Sequence, residues 1–133
     1  MTSKIYQTDI TVKQADLDEL NHVNNVVYLQ WVQDVAAAHW KSLASQEILD
    51  KYFWVALRHE IDYRAPAFLN DEITAKTWVH DYQGVKSTRI VQIIKKQDDR
   101  LLVEAKTTWC LMSHQNKKPV RIGDEIRNVF LID

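Results

Sequence analysis

The chain has 133 residues and a mass of 15.6 kDa, a size that is typical of one folded domain. Hydrophobic residues make up 46% of it and charged residues 26%, which excludes an intrinsically disordered chain. The 17 basic and 18 acidic side chains give a formal charge of −1, so no basic field favours nucleic acid as a partner.

The cysteine content and the distribution of apolar residues set further limits. The single cysteine, Cys110, excludes an internal disulfide framework and a multi-cysteine zinc site, and it is typical of a reducing compartment. The N-terminal residues lack the apolar stretch of a signal peptide, and no run of 18 apolar residues suggests a membrane span. We therefore expect a cytoplasmic protein with no cofactor, no metal and no membrane partner.

Hydrophobic periodicity predicts one strand, one long helix and then four more strands. Alternation over residues 4–13 predicts the first strand, and an apolar stretch over 26–44 predicts a helix with Asn24 or Asn25 as its N-cap. A short helical piece is expected at 45–52 and a last helical turn at 124–130, capped by Asp124. The four later strands are predicted at 54–63, 71–82, 86–96 and 100–112.

The long helix has less polar surface than an ordinary surface helix. Its polar stripe is formed by Gln30, Gln33, Asp34, Ala37 and Lys41. The remaining circumference is apolar, which predicts an antiparallel sheet curled around the helix in an α+β fold. A five-stranded sheet has open edges. Those edges, together with apolar residues expected on the outer face such as Ile93 and Trp78, predict dimerisation through the sheet.

The segment 16–25, directly before this helix, concentrates carboxylate, imidazole and amide side chains. The first-turn amides of a helix have no partner within the helix and lie at the positive end of its dipole. A carboxylate such as Asp18 beside free N–H groups offers a base or nucleophile next to an oxyanion-binding group, which acyl transfer or hydrolysis requires. A purely structural interpretation is also open, in which Asp18 and Asn24 cap the helix and His22 fills a loop position.

Other candidate motifs are weaker. No EF-hand, zinc-protease or phosphate-loop spacing is present in the sequence. Cys110 lies in an alternating strand, so we interpret it as a packed thiol and not as a nucleophile. Basic residues such as Lys86 and Arg89 are typical of solvated strand ends, although they would also suit a phosphorylated handle on a ligand.

Two segments carry a resemblance to a known family. Residues 16–31 read Asp-Leu-Asp-x-x-x-His-Val-Asn-Asn-x-x-Tyr-Leu-x-Trp and resemble the signature of single-domain hotdog-fold acyl-CoA thioesterases. This group includes 4-hydroxybenzoyl-CoA thioesterase and bacterial long-chain acyl-CoA thioesterases. Residues 61–71 are similar to the family's next strand, its Tyr-x-x-Pro-Ala turn and the aspartate that follows. The resemblance extends over residues 5–130, nearly the whole chain.

The resemblance implies a single hotdog domain over residues 1–133, with a five-stranded antiparallel sheet wrapped around one long central helix. It implies hydrolysis of acyl-CoA thioesters to free acid and CoA. The catalytic carboxylate of the family falls on Asp18, as base or nucleophile. The backbone amide that polarises the thioester carbonyl falls on Asn25, and His22 and Asn24 would shape the site.

The same resemblance sets expectations for assembly and substrate contacts. One hotdog subunit supplies half of such a pocket, which implies a homodimer or homotetramer. We expect the acyl chain to lie beside Tyr28 and Val32. Lys86, Ser87 and Arg89 are our candidates for contacts with the nucleotide of acyl-CoA.

Three alternatives stay open at this point. Plant-type acyl-carrier-protein thioesterases share the Asp-x-x-x-His-Val-Asn-Asn pattern, but they have asparagine where this chain has Leu20, and a Glu-Cys pair where it has Pro66 and Ala67. A non-catalytic acyl-CoA-binding protein would bind ligand without turnover. A hotdog dehydratase or hydratase would use His22 together with Asp18.

Overall fold

A computed structural model describes residues 3–131, and its elements follow the predicted order. Every helix and strand lies within two residues of its predicted bounds, and a single turn of 3-10 helix at Gln14–Asp16 was not predicted. The elements are β1 (Tyr6–Thr11), α1 (Asn25–Leu43), α2 (Gln46–Lys51), β2 (Tyr52–Tyr63), β3 (Glu72–Gln83), β4 (Lys86–Lys95), β5 (Arg100–Ser113) and α3 (Asp124–Phe130).

The five strands form one antiparallel sheet in the order β1-β3-β4-β5-β2. Strands β3 and β4 are joined by a two-residue turn, since Gln83 pairs with Lys86. Gly84 in this turn has φ +64°, the left-handed conformation that tight hairpins require and that glycine adopts without strain. The order leaves β1 and β2 at the two edges of the sheet.

Helix α1 lies against the inner face of this sheet, which confirms the predicted α+β architecture. Its N-cap is Asn24, whose side-chain oxygen accepts a hydrogen bond of 3.0 Å from the amide of Val26. The predicted polar stripe is exposed except for Gln33, which is half-buried and lies 3.3 Å from the His59 ring. Val26, expected among the buried positions, is 70% exposed because it lies at the first turn, beyond the sheet. No helix of residues 3–131 has the length and apolar character needed to cross a membrane.

Two predictions about the sheet and the last helix are wrong. Ile93 does not lie on the outer face: it is fully buried in the core between α1 and the sheet, because the alternation of β4 points it inward. Trp78 does lie on the opposite face of β3 from the core residues and is half-buried. The N-cap of α3 is Gly123 and makes no side-chain cap, while Asp124 is already the first helical residue.

Because Ile93 and Ile90 lie on opposite faces of β4, we expect their truncation to have different effects on the stability of the fold. Ile93→Ala removes a fully buried side chain, and we expect the free energy of unfolding to fall by about 2–5 kcal/mol. Ile90→Ala is the matched control, because Ile90 is half-buried on the outer face and its loss leaves no closed cavity. Urea denaturation of the two variants measures both changes. Equal losses would contradict the assigned faces of β4.

Candidate active site

The loop before α1 is folded tightly around the carboxylate of Asp18. The Asp18 amide donates to the carbonyl of His22 at 2.8 Å, and the loop is closed by a bridge between Leu17 and Val23. Oδ1 of Asp18 accepts hydrogen bonds from the amides of Leu20 at 2.9 Å and His22 at 3.3 Å. One oxygen of this carboxylate therefore holds the loop in shape.

The second carboxylate oxygen of Asp18 is in a different situation. Within residues 3–131 no hydrogen bond reaches Oδ2, and the residue lines a cavity of about 410 Å³. The interpretation of Asp18 as a cap of α1 is wrong, since that role belongs to Asn24. Asp18 is thus held by one oxygen, while the other is free of hydrogen bonds within the described residues.

The N-terminus of α1 forms the adjacent wall of this cavity. The amide of Val26 donates to the Asn24 side chain, and that of Val27 to the Asn24 carbonyl at 2.9 Å. The amide of Asn25, the first helical residue, has no acceptor in the described part of the chain. Because such amides lie at the positive end of the helix dipole, this N–H is available to a carbonyl oxygen or an oxyanion.

Tyr28 lies one turn further along α1 and closes the inner end of the cavity. Its side chain is 2% exposed, and its hydroxyl accepts a hydrogen bond of 3.0 Å from the amide of Ala67. Burial raises the pKa of Tyr28 above its usual value, so the phenol is neutral at pH 7. The neutral phenol therefore lines the cavity, and its hydrogen bond with the amide of Ala67 supports the turn at residues 63–67.

The opposite wall comes from the end of β2 and the turn after it. The Tyr63 hydroxyl donates to the carbonyl of Asn25 at 3.3 Å, and Arg64 places an exposed cation beside the cavity. Our sequence reasoning did not single out either residue, although both belong to the second family-like segment. His22 completes the cavity, and its half-buried ring packs edge-on against Phe68 at 5.5 Å. The cavity thus brings together Asp18, His22, Asn24, Asn25 and Tyr28.

The three residues expected at the nucleotide lie elsewhere in the same chain. Arg89 hydrogen-bonds to His39, which is 14 residues beyond Asn25 on α1 and so about 21 Å away along the helix. Ser87 and Arg89 are buried on the inner face of β4, so the interpretation of Arg89 as a solvated strand end is wrong. Lys86 is exposed at the start of β4. Val32, on α1, is fully buried in the core and does not line the Asp18 cavity.

Comparison with known proteins identifies the family. A model of the thioesterase-like superfamily matches residues 12–130. The chain is 28% identical over 130 residues to the long-chain acyl-CoA thioesterase FadM of Escherichia coli (strain K12), covering 91% of this chain and 93% of the relative.

Solved structures give the same fold. A 1,4-dihydroxy-2-naphthoyl-CoA thioesterase from Synechocystis superposes with a TM-score of 0.81 at 18% identity, over 95% of both chains. A hypothetical protein from Staphylococcus aureus, determined in complex with CoA, superposes with a TM-score of 0.81 at 16% identity, over 97% of this chain and 83% of its own. These matches confirm the predicted hotdog fold. The chain belongs to the thioesterase-like superfamily and is a thioester hydrolase.

Proposed function

We propose that this protein hydrolyses acyl-CoA thioesters in the cavity beside Asp18. The observation that carries the proposal is the pairing of two free groups on one cavity, the Oδ2 atom of Asp18 and the amide of Asn25. The names of the similar proteins support CoA as the carrier, since two are thioesterases of acyl-CoA or aroyl-CoA substrates and one binds CoA.

The geometry suggests how the reaction would proceed. The thioester carbonyl oxygen would accept the N–H of Asn25, which stabilises the negative charge that develops on it. Asp18 would either attack the carbonyl carbon, forming a mixed anhydride that water then hydrolyses to the free acid, or take a proton from a water that attacks the carbonyl carbon directly. In both routes the C–S bond breaks and a thiolate leaves. Because thiols have a pKa near 8.5, the thiolate is a good leaving group and no strong general acid is needed. A site with few polar groups is therefore sufficient.

Similarity to a relative and one sequence difference support a class of acyl group and a carrier. A long aliphatic chain is supported by similarity to a long-chain acyl-CoA thioesterase, and such a substrate would connect the protein to lipid metabolism. Pro66 and Ala67 stand where the acyl-carrier-protein enzymes have a Glu-Cys pair, which favours CoA. Cytoplasmic action remains a prediction from the cysteine content.

Asp18→Asn should abolish most of the hydrolysis without unfolding the loop. The amide oxygen of asparagine can still accept from the amides of Leu20 and His22, but it cannot act as nucleophile or base. We expect thiol release from acyl-CoAs of short, long and aromatic type to fall about 100-fold or more. The thermal midpoint should change little.

Asp16→Asn is the matched control for this experiment. The Asp16 carboxylate accepts from the amide of Lys13 at 2.9 Å and does not line the cavity. Comparable losses in both variants would contradict a chemical role of Asp18. If the wild-type protein is inert on every acyl-CoA but hydrolyses the same acyl group attached to acyl-carrier protein, then the carrier is acyl-carrier protein and not CoA.

The amide of Asn25 can be removed on its own by proline. Proline is favoured at the first position of a helix, and Asn24 before it has φ −63° and ψ 138°, a conformation compatible with a following proline. We expect Asn25→Pro to lower kcat by about 100- to 1000-fold, while Asn25→Ala, which keeps the N–H, stays near wild type. Steady-state hydrolysis of the best acyl-CoA measures both. Similar rates for the two variants would exclude the amide as an oxyanion donor.

We propose that the working enzyme is a homodimer, alone or paired into a tetramer, and that β2 is the joining edge. Strand β2 pairs only with β5 among the described strands, so its other edge has free backbone groups. Leu57 on this strand is 53% exposed, and Val55 and Tyr63 are also exposed. A twofold pairing of β2 with a second β2 would cover these side chains. It would also bring the start of the partner's strand to the open side of the Asp18 cavity.

Sedimentation velocity at micromolar concentration tests this assembly. We expect a species of two or four chains, and we expect Leu57→Arg to convert it to smaller species with a parallel loss of hydrolysis. Ile5→Arg is the control, because Ile5 is equally exposed but lies near the β1 edge. A monodisperse species of 15.6 kDa for the wild type would contradict the proposal. So would an assembly that Leu57→Arg leaves intact.

A further inference from the structure

A second cavity lies near the C-terminal half of α1, away from Asp18 in the same chain. Its volume of about 510 Å³ is within the range of small-molecule sites. Most of its walls are apolar, with aromatic rings from Trp40, Trp54 and Phe130. The Asp18 cavity shares no lining residue with it.

One wall of this second cavity carries a buried guanidinium. Arg89 is 5% exposed, and one terminal nitrogen donates to Nδ1 of His39 at 2.9 Å and to the Thr77 hydroxyl at 3.1 Å. Its Cζ atom lies 5.4 Å from the centre of the Phe130 ring. These contacts fix the orientation of the guanidinium, which is hydrogen-bonded to His39 and Thr77 through one terminal nitrogen.

No anion balances this charge within residues 3–131. No carboxylate of the described residues forms an ion pair with Arg89, and none of the residues that line the cavity is acidic. His39 is a neutral partner, since burial, followed by the nearby Arg89, lowers its pKa to about 4. Nε and the second terminal nitrogen of Arg89 have no hydrogen-bond acceptor in the same part of the chain. A buried charge without a counter-ion is costly, and such positions are typical of ligand binding.

Further hydrogen-bond donors and cations lie around this cavity. Trp109 lines the cavity, and its indole Nε1 is buried with no hydrogen-bond partner among the described residues. The hydroxyl of Ser87 is also at the wall, and Lys41 and His114 lie at the exposed side. A set of donors and cations within apolar walls is complementary to an acceptor group with negative charge, carried on an apolar body.

We propose that this cavity binds a carboxylate carried on an aliphatic chain, with the carboxylate paired to Arg89 and the chain against the aromatic rings. Two sources have this chemistry. One is a free fatty-acid anion, and the other is an acyl group whose far end bears a second carboxylate. The second source rests on the proposed thioesterase function, whereas the first does not.

Direct binding to the wild-type protein tests the shared chemistry without any turnover. The probes are decanoate and decanol, which differ only in the head group, and the signal is the fluorescence of the tryptophans in the cavity wall. We expect decanoate to bind at least 10-fold more tightly than decanol at pH 7.5. Equal affinities, or no change of fluorescence with decanoate, would overturn the proposal.

Two variants assign the binding to this cavity. Arg89→Gln should remove the preference for decanoate, while Arg121→Gln, at an exposed arginine outside the cavity, should keep it. Because Arg89→Gln changes a buried contact, Ala37→Trp provides an independent block: Ala37 is exposed at the cavity wall, where a larger side chain fills space without displacing the core. We expect Ala37→Trp to weaken decanoate binding at least 10-fold. Unchanged binding in this variant would place the ligand elsewhere.

Hydrolysis rates separate the two sources. Decanoyl-CoA and its counterpart with a terminal carboxylate are compared in wild type and in Arg89→Gln. A selective loss of kcat/KM for the carboxylated substrate assigns Arg89 to the far end of an acyl chain. Equal rates in both proteins, combined with Arg89-dependent binding of decanoate, assign the site to free fatty acid. If no thioester is hydrolysed, the proposed function fails while the binding result still stands.

Discussion

The burial of α1 is the constraint on which the rest of the structure depends. This helix has apolar residues around most of its circumference, and burying them on folding provides a large part of the stability. Only a surface that curves around a helix satisfies this need, and the antiparallel sheet supplies it with the inner faces of β3, β4 and β5. The same packing holds the two ends of α1 in place, and the Asp18 cavity and the Arg89 cavity lie towards these ends.

At the N-terminal end of α1, the helix cap and the proposed catalytic carboxylate are separate residues. Asn24 accepts hydrogen bonds from the amides of Val26 and Val27, so Asp18 is not needed as the helix cap. Oδ1 of Asp18 accepts hydrogen bonds from two amides of its own loop, and these bonds fix the orientation of the whole carboxylate. A carboxylate that is held by backbone donors loses little further freedom when substrate binds, which is the usual advantage of a preorganised site. The free amide of Asn25 is held with equal rigidity, because it belongs to a helix that the sheet encloses.

At the other end, polar groups interrupt an otherwise apolar core. Thr77, Arg89 and His39 are all buried, and they satisfy one another only in part. The alternation of burial along β4 continues through this region, and Arg89 occupies an inward position between Ser87 and Val91. A buried arginine at an inward position, next to a cavity, is a departure from the rule that inner faces of strands are apolar. Such departures are expected where a protein binds something.

The fold was predictable because its signals are local. Alternation marks the strands, an apolar stretch marks α1, and both periods are read directly from neighbouring residues. The family-like segment 16–31 also pointed to Asp18, His22, Asn24, Asn25 and Tyr28, which do surround one cavity. Tyr63 and Arg64 were missed because their approach to the N-terminus of α1 depends on how β2 crosses the sheet. The face of Ile93 was misjudged because β4 has isoleucines on both of its faces, and the burial of Arg89 was misjudged because it depends on strand register. A charged residue in a strand is interpreted as exposed to solvent when the register of the neighbouring strands is not known.

The sequence by itself thus determined the order of the elements, the enclosed helix and the carboxylate-rich segment at its start, since each depends on residues that are close along the chain. Only the tertiary structure decided which oxygen of Asp18 is free, that Asn25 lines the same cavity, and that Arg89 lies in a cavity at the far end of α1. These facts depend on contacts between residues far apart in the chain, whose geometry is set by strand register and by the packing of α1 against the sheet.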